Sequence, residues 1–206
     1  PQSVPGRVGK ALFFPGESFV ELKGPGDRSK LAKDPAQGNT TAWFERHQPF
    51  TFSLWTKISD PKLVGPILNR SMGPFNGFRG YELLRLDDGR MAFRLAYVWP
   101  DDVIDVETTQ KIPLNQWAHL TVTYDGSSKA GGVKIYLNGQ PTPLRVVTDN
   151  LTQSVVWGKK GSNWGSGVPN LAMGQRHDYN FKGYAVDELT VYSRKLTPLE
   201  IGSLFD

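Results

Sequence analysis

Hydrophobic and polar residues alternate with a period of two through most of the chain, the pattern of pleated strands with one face buried. The clearest case is Trp117 to Gly139. Ala118, Leu120, Val122 and Tyr124 fall on one face of a first strand, and Trp117, His119, Thr121 and Thr123 on the other. Val133, Ile135 and Leu137 alternate with Lys134, Tyr136 and Asn138 in a second. The polar, Gly-containing stretch from Asp125 to Gly132 joins the two strands, and Asn138-Gly139 predicts a type I′ reversal after them. Both strands carry apolar or aromatic residues on both faces, so cover is expected on each side of the sheet.

The same reading extends along the chain. Ala11–Phe14 and Ser18–Leu22 are short strands around Pro15-Gly16. The polar stretch from Gly24 to Gln48 is a long loop whose Trp43 and Phe44 either sit on the surface or fold back as a plug. Phe50–Ile58 is a strand with Phe52, Leu54 and Ile58 on one face, and Ile67–Arg70 is a short one. Tyr81–Leu86 and Met91–Val98 form a hairpin about Asp87-Asp88-Gly89-Arg90. Val103–Glu107, Leu144–Val147, Asn170–Gly174 and Phe181–Tyr192 complete the strands. After Leu196 a short helix is expected, with Thr197 as N-cap, Pro198 at the first position and Glu200 closing a capping box. Leu199, Ile201 and Leu204 are expected to pin it to the body. About a dozen short strands, one helix and no repeat predict an all-β fold, a two-sheet antiparallel β-sandwich or jelly roll with a short C-terminal helix.

Composition narrows the function classes. The 206 residues suffice for one β domain spanning 1–206, and a chain opening on Pro1 without methionine reads as a piece excised from a larger protein. Gly (22) and Pro (15) suit a turn-rich β protein. The absence of cysteine excludes a disulfide, a thiol nucleophile, a Cys-zinc site and c-type haem attachment within this chain. The net charge of +4 comes from scattered residues, with Lys129, Lys134, Lys159 and Lys160 the nearest to clusters, so no nucleic-acid partner is expected. No apolar run is long enough to predict membrane insertion as a helix.

Three segments carry a resemblance. Gly9-Lys10-Ala11-Leu12-x-Phe14-x-Gly16-x-x-Phe19-Val20-x-Leu22 opens the chain, Trp117 to Gly139 forms its centre, and Phe181-Lys182-Gly183-x-x-Val186-Asp187-Glu188-Leu189-x-Val191-Tyr192-x-Arg194-x-Leu196-Thr197 closes it. Together they resemble the laminin-G-like branch of the concanavalin A-like lectin and glucanase superfamily. Tyr97-Val98-Trp99-Pro100 and Tyr124 to Ala130 further resemble the version embedded in planctomycete multidomain proteins with cytochrome c-type modules. That likeness implies export from the cytoplasm, with any haem carried elsewhere in the parent protein. The broader family resemblance implies a structural calcium ion held by Asp187 and by backbone oxygens near Gly16 and Glu17.

Fold does not decide function, so the chemistry is read residue by residue. Glycosidases of the superfamily place paired acids in a Glu-x-Asp-x-x-Glu strand, and this chain has none. Asp105 and Glu107 share a strand face, where a solvated pair is expected, while Asp187 and Glu188 point to opposite faces of a regular strand. His119 is expected to be packed or half-buried. Nothing resembles a nucleophile elbow. Sugar binding calls for aromatic rings beside hydrogen-bonding side chains, and the loops supply Phe75, Phe78, Trp99, Trp157, Trp164 and Tyr179 near Asn76, Arg79, Asp101, Asp102, Asn163, Arg176 and His177. The expected function is a non-catalytic binding module with a carbohydrate as ligand, through Trp99, Asp101, Trp157, Asn163, Trp164, Arg79 and Arg176. The alternatives are a glycoside hydrolase or lyase, and a structural module docking other domains of the parent protein.

Overall fold

The computed structural model describes residues 1–22, 41–156 and 169–206. In chain order its strands are β1 (Gln2–Pro5), β2 (Lys10–Phe14), β3 (Val20–Leu22), β4 (Phe50–Ile58), β5 (Gly65–Ser71), β6 (Gly80–Arg85), β7 (Arg90–Val98) and β8 (Asp102–Lys111). They continue as β9 (Trp117–Tyr124), β10 (Val133–Leu137), β11 (Gln140–Thr142), β12 (Leu144–Asp149), β13 (Leu171–Met173), β14 (Gln175–Arg176), β15 (Tyr179–Asn180) and β16 (Tyr184–Tyr192). Among the described residues one α-helix, α1 (Pro198–Phe205), follows. A first seven-stranded sheet runs β1-β2-β16-β4-β9-β10-β11, a second runs β12-β8-β7-β6-β5-β13-β3, and β14-β15 form a separate ribbon. The strand pairs are antiparallel, as expected for the sandwich.

The alternation places the core between the two sheets. Phe50, Phe52, Leu54 and Ile58 of β4 and Leu120, Val122 and Tyr124 of β9 face Tyr81, Leu83, Met91, Phe93, Leu95, Ile104 and Val106 of β6, β7 and β8. Rings link the layers: Phe50 lies 5.2 Å from Tyr124 within its own sheet and 6.0 Å from Phe93 across the sandwich, and Phe52 lies 4.8 Å from Tyr81. Phe44 folds back as the plug, stacked on Phe50 at 4.9 Å. Each buried Phe contributes about 1.5–3 kcal/mol relative to an exposed one.

The Asn138-Gly139 reversal has positive φ at both residues (51° and 75°), as a type I′ turn requires, and sets Leu137 opposite Gln140. Two expectations about the strands change. Strand β1 forms from Gln-Ser-Val-Pro, where the sequence carries no strand signal, because β2 offers it a pairing edge. In β16 the register slips between Asp187 and Thr190, with Glu188 at φ 48°, so the strand bulges where the sequence reads a regular alternation.

Outside the first sheet, α1 carries the expected capping box: the Thr197 side chain accepts from the Glu200 N–H, and Glu200 accepts from the Thr197 N–H at 2.8 Å. The Arg194 guanidinium, followed by the Thr197 bonds, holds the Glu200 carboxyl down at about 2. Leu196, Ile201 and Tyr136 form the contact beneath the helix, with Leu204 half-buried against it. Leu199, expected to help pin the helix, is 86% exposed, because two residues of helix turn it about 200° from Ile201. His119, central on the covered face of β9, is buried as expected, and burial lowers its pKa to about 4.

Phe50→Ala is expected to cost about 3–5 kcal/mol in urea unfolding, whereas Phe75→Ala, at a 97% exposed site, shifts stability by less than about 0.5 kcal/mol. The depressed His119 pKa means that the unfolded chain binds the extra proton first as pH falls. Stability is therefore expected to drop as pH goes from about 6.5 toward 4, with His119→Gln flattening the slope between pH 6.5 and 5.

Candidate functional site

The outward face of the second sheet carries a polar row set by strand register. Asp105 of β8 pairs with Arg94 of β7, Arg94 with Glu82 of β6, Glu82 with Asn69 of β5, and Asn69 with Ala172 of β13. Negative, positive and negative groups thus alternate across three adjacent strands. Arg94 Nε donates to Asp105 Oδ2 at 2.9 Å. Arg176, from the ribbon, donates to both oxygens of Glu82 at 3.0 and 3.2 Å, and the Ser71 hydroxyl donates to Glu82 at 2.6 Å. One row along, Glu107 accepts from Arg90 at 2.7 Å and from Arg145 at 2.6 Å.

This arrangement corrects the sequence reading of Asp105 and Glu107 as a solvated pair. They are 2% and 7% exposed, and each is held by an arginine. Carboxylates taken out of water need such partners, and the partners came from neighbouring strands.

Aromatic side chains stand over the row. Trp99 Nε1 donates to Asp105 Oδ2 at 3.2 Å, and the Arg94 guanidinium lies over the Trp99 ring at 4.7 Å. Phe78 meets Trp99 edge-on at 5.9 Å and carries the Arg176 guanidinium over its own ring at 4.4 Å. Trp99, Arg94, Asp105, Phe78, Arg176 and Glu82 therefore form one continuous cluster. Two flanking segments frame it. The turn 73–77 presents Phe75, 97% exposed, and the β14–β15 ribbon presents Tyr179, 56% exposed. The two segments touch, since a Cβ on Gly73 would stand 2.9 Å from His177. Within the cluster Asp105 Oδ1 and Arg176 Nε are buried without a hydrogen-bond partner.

Of the sequence candidates, Trp99 and Arg176 are brought together, with Phe78 between them. Arg79 is not part of the cluster: it donates twice to the Ser154 carbonyl, at 3.0 and 2.7 Å, and lies over Tyr97. Burial lowers its pKa from the arginine value, against the opposing pull of Tyr97 and Glu45. Asp101 is exposed in the turn after Trp99, while its neighbour Asp102 accepts from the Thr152 N–H and hydroxyl at 2.7 and 2.8 Å. Trp157, Asn163 and Trp164 lie outside the described residues. Sequence reading missed Arg94 and Glu82. Counting back from the Asp87–Arg90 turn sets those two opposite each other on outward positions, which is the signal that finds them.

The calcium ligands expected from resemblance do not come together. Asp187 accepts the Val8 N–H at 3.0 Å through Oδ2 and the Glu188 N–H at 3.0 Å through Oδ1, which ties the β1–β2 turn to β16. Gly6 sits so close that a Cβ there would lie 2.4 Å from Asp187 Oδ2. Gly16 and Glu17 follow the other end of β2. Leu12 pairs with Val186, beside Asp187, whereas Phe14, the last residue of β2, pairs with Tyr184, so Gly16 and Glu17 lie past the strand end that points away from Asp187. These three residues do not fit a shared calcium ion.

A family model described as the concanavalin A-like lectin/glucanases superfamily, of laminin G type, matches residues 32–202. Among curated protein sequences none matches. The binding domain of Paraclostridial mosquitocidal protein 1 is similar at TM-score 0.62 and 19% identity, over 99% of this chain and 45% of that one. Domain 4 of AbnA, a GH43 extracellular arabinanase from Geobacillus stearothermophilus solved with arabinotriose, is similar at TM-score 0.52 and 20% identity, over 99% and 80%. The binding domain of botulinum neurotoxin DC, solved with rat synaptotagmin II, is similar at TM-score 0.60 and 14% identity, over 99% and 44%. The chain thus spans less than half the length of the two toxin domains. At these identities the likeness is one of fold.

The cluster predicts a contrast in stability. Glu82→Gln removes the charge partner of Arg176 at a site 1% exposed and is expected to cost on the order of 3 kcal/mol in urea unfolding. Arg145→Gln, at a side chain 60% exposed, leaves Glu107 its Arg90 bond and is expected to cost less than about 1 kcal/mol.

Proposed function

Because the chain belongs to the concanavalin A-like lectin/glucanases superfamily, we propose that it is a non-catalytic binding module whose ligand is a glycan, held on the outward face of the second sheet. The observation that carries this reading is the aromatic frame around a polar floor: half-exposed Trp99 and Phe78 over the Arg94–Asp105 and Arg176–Glu82 pairs, with exposed Phe75 and Tyr179 at the margin. Sugar rings offer C–H faces to such rings and hydroxyls to such side chains. The buried acids of this face are paired with arginines, which favours binding over hydrolysis. The arabinanase domain solved with arabinotriose lends the reading support by its fold. We place the module in a larger exported protein, as its family likeness suggests.

A protein ligand is the second reading. Edge strand β12 exposes Val146 (54%) and Val147 (46%), and the neurotoxin domain of similar fold was solved with synaptotagmin.

The test is binding of the protein to a panel of polysaccharides and oligosaccharides, arabinotriose included, in calcium and in chelator. Saturable binding with a Kd near millimolar, on the order of −4 kcal/mol, is expected for at least one glycan. It should be equal in both conditions and at least tenfold weaker in Trp99→Ala and Phe78→Ala. No binding at millimolar glycan, or binding untouched by both variants, overturns the reading.

A further inference from the structure

The opposite side of the molecule holds a cavity of about 270 Å³ between the outward face of the first sheet and the last turn of α1. Its inner lining is Ser53, Trp55 and His119, which are 2%, 7% and 2% exposed. Its outer lining includes the exposed residues Arg7, Glu188 and Asp206, and Leu204 and Phe205 of the helix form an apolar wall. The volume lies just below the roughly 300–1,000 Å³ typical of drug-sized pockets, so it suits a smaller molecule.

The inner end is polar but uncharged. Thr121 Oγ1 donates to Ser53 Oγ at 3.2 Å, and Ser53 Oγ shares a hydrogen bond with His119 Nε2 at 2.8 Å. The other ring nitrogen, Nδ1, is buried with no partner. Thr190 adds a further hydroxyl to the lining.

The outer end is charged. Arg7 stands on the turn between β1 and β2, with Glu188 on the bulge of β16, whose positive φ of 48° turns that carboxylate outward from the strand. Among the described residues neither takes part in an ion pair. Arg7 lies over the Trp55 ring at 4.9 Å, and Phe205 stacks on the same ring at 5.5 Å. Trp55 is thereby occupied and offers no platform to a sugar ring. A cation and two carboxylates at the mouth, an apolar wall and a hydrogen-bonding floor match a small zwitterion with an apolar body.

We propose that this cavity binds a free amino acid with an aromatic side chain. Its carboxylate meets Arg7, its ammonium meets Glu188 and Asp206, its ring lies against Leu204 and Phe205, and a hydroxyl at the ring tip meets the polar floor beside Ser53 and Thr190. The site is separate from the glycan surface, since the two lie on outward faces of different sheets.

The experiment is a titration of the isotope-labelled 206-residue protein, followed by amide NMR shifts, with L-tyrosine, L-phenylalanine, phenethylamine and 3-phenylpropionate. Expected are saturable shifts at Ser53, His119 and Thr190 with both amino acids. Tyrosine should bind severalfold tighter than phenylalanine, because only it brings a hydroxyl to the polar floor. Each single-headed analogue should bind about tenfold more weakly than phenylalanine. Arg7→Gln, at an exposed turn, should erase the advantage of phenylalanine over phenethylamine, and Glu188→Gln should reduce its advantage over 3-phenylpropionate. Trp99→Ala should leave all four affinities unchanged. The proposal is overturned by absent shifts at the solubility limit, by equal affinity for all four probes, or by shifts that map to the second sheet.

Discussion

The structure depends on aromatic rings meeting between two sheets. Phe50 and Phe52 of β4 reach Phe93 and Tyr81 of the opposite layer, and Phe44 closes the cluster from its end. A sheet with alternating faces is stable only when its apolar side is covered, and here each sheet covers the other. Once those inward positions are occupied, every alternate residue must face outward. The two outward faces then differ in how they are finished. The first sheet receives α1, whose Ile201 packs on Tyr136, while the second, among the described residues, receives no helix and builds a polar row instead.

That row is the reason the second sheet carries a binding surface. Asp105 and Glu82 are nearly inaccessible, so their charges require arginines, and Arg94 and Arg176 meet them at hydrogen-bonding distance. The same guanidiniums lie over Trp99 and Phe78. Each ring is therefore held by a charge that is itself held by a buried acid. An arrangement fixed in this way loses little conformational entropy when a ligand settles on it. Buried carboxylates on a sheet face invite a catalytic interpretation, but their partners make them anchors of the aromatic frame.

Much of the fold was legible because it rests on local pattern. The alternation of Phe50–Ile58 and of Trp117–Tyr124, the Asn138-Gly139 reversal and the Thr197 capping box each follow from residues within a few positions of one another. What escaped depends on pairing between distant strands. Strand β1 exists because β2 offers an edge, and Leu199 turned outward because helix phase was set by Ile201. At the site, the loops named Trp99, Phe78 and Arg176 by residue type alone. Arg94 and Glu82, and the partner that Asp105 needs, became visible only through register, which turns three outward positions on separate strands into one row. Asp187 shows the limit of family likeness: its carboxylate is spent on the backbone N–H groups of Val8 and Glu188.

The Trp99 indole N–H, bonded to Asp105, is a direct reporter of this surface. The most direct measurement is therefore NMR shift mapping of the protein with any glycan that binds it. The account predicts saturable shifts of the Trp99 indole and of the Arg94 and Arg176 Nε–H signals, with the residues around α1 unmoved. Shifts confined to β12 or to the first sheet, with the Trp99 indole unchanged at saturation, would contradict it.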